Sequence, residues 1–112
     1  QFYAGTDSAA HTEKATACGC AAGCFTGGIA PQLYAQAFEE AGVDLSTEDG
    51  QAAFKRFLCE NGPAFYGLKT SEESFTLVKE PQEVHTIPTS EGDITPLPAG
   101  LGEKTIPWSV KV

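Results

Sequence analysis

The chain has 112 residues, enough for one small domain, and carries 15 acidic against 7 basic residues for a net charge of −8. That balance argues against a nucleic-acid surface, which needs a basic face. No apolar run approaches the roughly 18 residues of a membrane-spanning helix. Met is absent, and Gln1-Phe2-Tyr3 has neither a basic n-region nor a long apolar h-region. The expectation is therefore a processed chain or a piece of a longer one.

Phe2-Tyr3-Ala4 is a short apolar run of strand-forming residues, ended by Gly5. Thr6, Asp7 and Ser8 follow, with His11 four residues after the aspartate. A carboxylate just past a buried strand, with an imidazole behind it, is a common polar site on a rigid scaffold. Asp7 could bind a metal or act as a general base there. Thr-Asp-Ser after a strand is equally ordinary turn and helix-capping chemistry, so both readings stay open.

Residues 12–30 are small and Gly-rich, which suits close backbone approach. Three of the four cysteines, Cys18, Cys20 and Cys24, crowd into this stretch, and Cys59 stands apart. Zinc ligation, disulfides and buried reduced thiols are all compatible with that spacing. A disulfide-stapled secreted domain is one reading that follows.

A helix is predicted over 31–41, with Pro31 opening it and Gly42 closing it. Leu33, Tyr34, Ala37, Phe38 and Ala41 form one apolar stripe, and Glu39 and Glu40 are expected to face solvent. A second helix is predicted over 47–61, capped by Ser46 with Asp49 three residues on. Asn61, Gly62 and Pro63 are expected to stop it. The stretch 43–51 reads as a surface insertion, and Ala64 to Leu68 as core packing. Phe75 to Val78 is a predicted strand ended by Pro81. The prolines at 88, 96 and 98 make 86–99 an extended, turning segment. His85 is expected to be exposed. Ile106, Trp108, Val110 and Val112 alternate as a closing strand.

Five of these segments carry a resemblance. Gly5-Thr6-Asp7-Ser8-Ala9-Ala10-His11, followed by Cys18-Gly19-Cys20-Ala21, resembles the GTDSAPH and CGCAG signature of class II dihydroorotases. Leu33 to Glu40 resembles their YAxxFEE helix, and Asn61 to Leu68 their NGPxFYGLP segment. Leu77 to Pro81 resembles LVREP, and Ile106 to Lys111 the closing RWSVK. Ala10 and Gly27-Gly28 depart from the usual Pro and Ala-Pro. Motifs in this order, spread over nearly the whole chain, are specific where one alone would be weak.

The resemblance covers the C-terminal third of such an enzyme. It implies an α/β fold, the end of a (β/α)8 metal-dependent hydrolase barrel. Residues 1–68 would supply the last barrel strand, the active-site loop and two helices. Residues 69–112 would form a C-terminal strand and extended tail. The implied activity is zinc-dependent interconversion of N-carbamoyl-L-aspartate and dihydroorotate in pyrimidine biosynthesis, in the cytoplasm. Asp7 would be the catalytic proton carrier and touch one of two zinc ions. Ala9, His11 and Ala21 would contact the substrate. The other metal ligands lie in the N-terminal part, so that part and a second protomer of a homodimer are the implied partners. Without them the chain is expected to be inactive. A non-catalytic acidic binding or structural module derived from that enzyme is the alternative.

Overall fold

The structure is a computed structural model that describes residues 2–10, 15–16, 19–20, 24–99 and 102–112, with the backbone alone at 15–16 and 19–20. Its helices lie in the middle of the chain and its longer strand pairs towards the end. The mixed helix and strand content agrees with the expected α/β composition.

The first residues do not form the predicted strand. Their backbone groups are taken by helical elements instead: Ala4 N–H donates to the Phe57 carbonyl (3.0 Å) and Asn61 Nδ2 donates to the Phe2 carbonyl (2.8 Å). Further on, β1 (Ala15–Thr16) and β2 (Gly19–Cys20) make a two-residue antiparallel ladder.

Helix α1 (Ala30–Glu40) begins as predicted, with Pro31 in the first turn where a missing N–H costs nothing. Gly42, at φ +93°, ends it. Val43 N–H reaches back to the Phe38 carbonyl and Gly42 N–H to Glu39, the paired bonds of a Schellman stop. Helix α2 (Glu48–Lys55) is capped by Thr47, not Ser46, and Thr47 Oγ1 accepts from Gly50 N–H at 3.0 Å. Ser46 is already engaged, its N–H and hydroxyl both donating to Asp44 Oδ1 at 2.9 and 2.6 Å.

The helix does not stop at Asn61. It widens into a π-helical turn (Arg56–Glu60) and continues as α3 (Asn61–Tyr66). Pro63 falls in the first turn of α3, where proline is tolerated, and the stop is Gly67 at φ +68°.

The remaining strands nest. β3 (Thr76–Val78) pairs with β8 (Ser109–Lys111), β4 (Gln82–Glu83) with β7 (Thr105–Ile106), and β5 (Ile87–Thr89) with β6 (Gly92–Ile94), all antiparallel. Pro88 is accommodated because a two-stranded ribbon has only edges. Between the Val78–Ser109 and Gln82–Ile106 pairs, three residues on one strand oppose two on the other. The register therefore slips by one, as in a bulge, and Pro81 and Pro107 sit at the slip.

Two small cores meet on α1. Ile29, Val84 and Ile106 form one, with Leu33 and Ala99 against it. Ala35, Phe54 and Trp108 form the other, with Tyr34, Phe38, Leu45, Leu58 and Leu77 around it. Leu45 thus ties the expected surface stretch 43–51 to the core. Ile106 and Trp108 are buried as the alternation predicted, whereas Val112 is exposed. Phe65, Tyr66 and Leu68 are 71%, 63% and 67% exposed, so the 64–68 segment is not core packing. Phe65 and Tyr66 pack on each other and on Tyr3 instead.

Glu39 is not the free surface charge expected. Its carboxylate accepts the Trp108 indole N–H at 2.7 Å and Lys79 Nζ at 2.6 Å. Lys79 first, then Trp108, holds the Glu39 carboxyl below its ordinary value.

Two predictions follow from this packing. A Cβ at Gly50 would collide with the Asp44 carbonyl, so Gly50→Ala should cost about 1–3 kcal/mol in denaturant unfolding. Glu39 stabilises the fold above the ordinary carboxylate value, and this contribution is lost as pH falls through its own lowered value. Glu39→Gln should therefore be less stable by about 1 kcal/mol at neutral pH, with the gap to wild type closing in acid, as read from unfolding curves at both pH values.

Candidate active site

Asp7 lies in a turn strapped at both ends. On the N-terminal side, residues 2–4 are bonded to the π turn and α3 as described, and the Tyr3 ring lies 5.7 Å from Phe65 and 5.9 Å from Tyr66. The Tyr3 and Tyr66 hydroxyls are 3.3 Å apart. On the C-terminal side, Thr26 N–H donates to Ser8 Oγ at 3.0 Å, and Ala9 N–H to the Cys24 carbonyl at 2.9 Å. Phe25 carries the strap onward, its carbonyl accepting Leu97 N–H at 2.9 Å.

Between these anchors Asp7 adopts φ +44°, the left-handed region that disfavours residues with a Cβ. Its side chain is exposed. It caps no helix: residues 8–10 are not helical, and the next helix among the described residues is α1, whose N-cap is Ile29, with no side-chain bond. The turn chemistry at this motif belongs to Thr6, whose Oγ1 accepts from Ser8 N–H at 3.4 Å. Of the local chemistry expected of Thr-Asp-Ser, the turn forms, through Thr6, and the helix cap does not.

Beside the turn lies a hollow of about 230 Å³ between Thr6, Thr26 and Leu97 on one side and Ala30, Leu33, Tyr34 and Ala37 on the other. No local pattern announces it, because its walls come from three separate segments. Ala9 is half-buried at its strap. His11 and Ala21, the other expected substrate contacts, lie outside the described residues, as does Cys18. Cys24 and Cys59 are free thiols and exposed, so of the readings left open for the cysteines neither a disulfide nor burial holds for these two. His85 is exposed as expected, its Nε2 lying 3.2 Å from Glu83.

Among the described residues no three His, Cys, Asp or Glu side chains come together to hold a metal ion. Asp7 can offer one carboxylate to a metal, and the described residues do not by themselves fit a metal centre. No helix among the described residues is long and apolar enough to cross a membrane.

No family model matches the chain. It is 44% identical over 114 residues to a dihydroorotase of Shewanella loihica, a match that covers 99% of this chain and 30% of that protein. A dihydroorotase of Aromatoleum aromaticum is 44% identical over 112 residues, covering 98% of this chain and 30% of the relative. One from Halorhodospira halophila is 46% identical over 103 residues, covering 89% and 28%. The chain is similar to dihydroorotases. The resemblance read from five short motifs is matched at the level of nearly the whole chain. The chain spans about 30% of the length of these dihydroorotases.

The left-handed turn makes a prediction of its own. Asp7→Gly should be as stable as wild type or more stable by up to about 1 kcal/mol, because glycine is unstrained at this φ. A loss of stability, measured by denaturant unfolding, would show that the Asp7 side chain holds the turn.

Proposed function

We propose that this chain forms part of a dihydroorotase, a zinc-dependent cyclic amide hydrolase that interconverts N-carbamoyl-L-aspartate and dihydroorotate in cytoplasmic pyrimidine biosynthesis. The observation that carries this reading is 44% identity over 99% of the chain to a protein of that name. In this proposal residues 1–68 complete a (β/α)8 barrel and residues 69–112 cover it. The rest of the barrel, a homodimeric neighbour and most of the metal ligands come from outside the chain.

Opening a cyclic amide requires a group that takes a proton from the attacking water and returns it to the leaving ring nitrogen. Asp7 is suited to this. Its carboxylate is exposed, committed to no hydrogen bond among the described side chains, and fixed by straps on both sides. It would also serve as one metal ligand. Zinc, when bound, supplies Lewis acidity to the carbonyl oxygen. Ala9, His11 and Ala21 would meet the substrate, with the His11 imidazole and backbone N–H groups suited to its carboxylates.

The reading is tested in the assembled enzyme. With the chain joined to the N-terminal two-thirds of a dihydroorotase, cyclisation of N-carbamoyl-L-aspartate is expected. Asp7→Asn should lower kcat by about 10³-fold or more with little change in KM. His11→Ala should act mainly on KM. A folded, zinc-loaded assembly without turnover would overturn the assignment and leave a non-catalytic acidic module.

A further inference from the structure

A side chain joins the turn at Asp7 to the start of α1. Ser8 Oγ accepts Thr26 N–H at 3.0 Å, and the Thr26 carbonyl in turn accepts Ile29 N–H at 3.0 Å. Ile29 is the N-cap of α1 and is buried against Val84 and Ile106. The next residue repeats the link through its backbone, with Ala9 N–H donating to the Cys24 carbonyl at 2.9 Å. Thr26 and Ala9 are half-buried, whereas Ser8 is exposed. The Ser8 hydroxyl therefore owes its place to this bond and not to burial.

We infer that Ser8 is a positioning residue for the Asp7 carboxylate, its bond to Thr26 holding the left-handed turn that presents that carboxylate. The inference rests on the proposed role of Asp7 and deepens it. At φ +44° Asp7 occupies a region that residues with a Cβ leave when they are free to do so. A change of φ there swings the Cα–Cβ bond, so the aim of the carboxylate depends on what fixes the neighbouring backbone. Among the described residues, the nearest anchor to another segment on the N-terminal side is at Ala4, while on the C-terminal side Ser8 is adjacent. The contact within the turn, from Ser8 N–H to Thr6 Oγ1, is long at 3.4 Å and holds it only weakly. Proton transfer needs the carboxylate within hydrogen-bond reach of water and leaving nitrogen, and a misplacement of about 1 Å can cost about 100-fold in rate.

The test uses the assembled enzyme, with rates compared per folded, zinc-loaded molecule. Ser8→Ala should lower kcat by about 10- to 100-fold with KM little changed. Ser8→Thr keeps the Oγ acceptor and has room for its methyl at an exposed position, so it should restore kcat to within about threefold of wild type. In an Asp7→Asn background Ser8→Ala should add no further loss, because a residue that acts through the carboxylate has no effect once the carboxylate is gone. The same loss in both backgrounds, or wild-type kcat for Ser8→Ala beside a crippled Asp7→Asn, would overturn the inference and leave the role of Asp7 standing. Full turnover by Asp7→Asn, or none by the folded, zinc-loaded wild type, would overturn the role of Asp7 and this inference with it.

Discussion

The fold depends on one carboxylate. Glu39 lies near the end of α1 and accepts both the Trp108 indole N–H and the Lys79 ammonium. Trp108 precedes β8 and Lys79 follows β3, so the two partners lie within the register slip of the nested ribbon, one on each strand. The slip matters for this geometry. With Pro81 and Pro107 breaking the ladder, the ribbon changes phase, and both Trp108 and its neighbour Ser109 are buried. Ser109 is satisfied there by donating its hydroxyl to the Glu80 carbonyl at 2.7 Å. A buried tryptophan brings large apolar area but also an N–H that needs an acceptor. Glu39 supplies it, and the Lys79 charge offsets the cost of holding the carboxylate partly out of water.

The same helix organises the site side. Leu33, Tyr34 and Ala37 of α1 face the hollow beside Thr6, and Tyr34 stacks edge-on against Phe57 at 5.2 Å. Phe57 belongs to the π turn, and its carbonyl receives Ala4 N–H. A chain of contacts therefore runs from the Trp108 anchor, through α1 and the π turn, to the strap that sets Asp7. The turn at Asp7 holds an unfavourable φ between two anchored segments. Backbone strain of this kind persists only where its surroundings fix it.

What the sequence made legible follows from how local each cause is. Helix α1 was readable because Pro31, the apolar stripe and Gly42 all act within a few residues of one another. The strand at Thr76–Val78 and the burial of Ile106 and Trp108 were readable for the same reason. The cap at Thr47 was misplaced by one residue because Asp44 competes for Ser46. The stop at Asn61-Gly62-Pro63 failed because a π turn changes the helical phase, and no residue in Arg56–Glu60 announces one. The role of Glu39 required knowing that a tryptophan 69 positions away would be buried beside it. The motif around Asp7 was legible as a site only through resemblance. Its spacing alone did not separate catalysis from capping; the bonds of Thr6, Ser8 and Ala9 show a strapped turn and no helix cap at Asp7.

The apolar residues left in water bear on the proposed assembly. Phe2 is 83% exposed, and Phe65, Tyr66 and Leu68 are mostly exposed. All four lie in the N-terminal strap or in and just after α3, and Phe65 and Tyr66 pack on Tyr3. The radius of gyration is 15.8 Å, against about 13 Å for a compact domain of this length. In the proposed assembly these exposed residues would serve as a contact surface. It begins within five residues of Asp7, on the same strap that fixes the turn. A partner docked on this face would therefore cover the strap and bring its own side chains towards Asp7. That is the arrangement a site with one carboxylate and no metal cluster among its described residues requires if it is to be completed from outside.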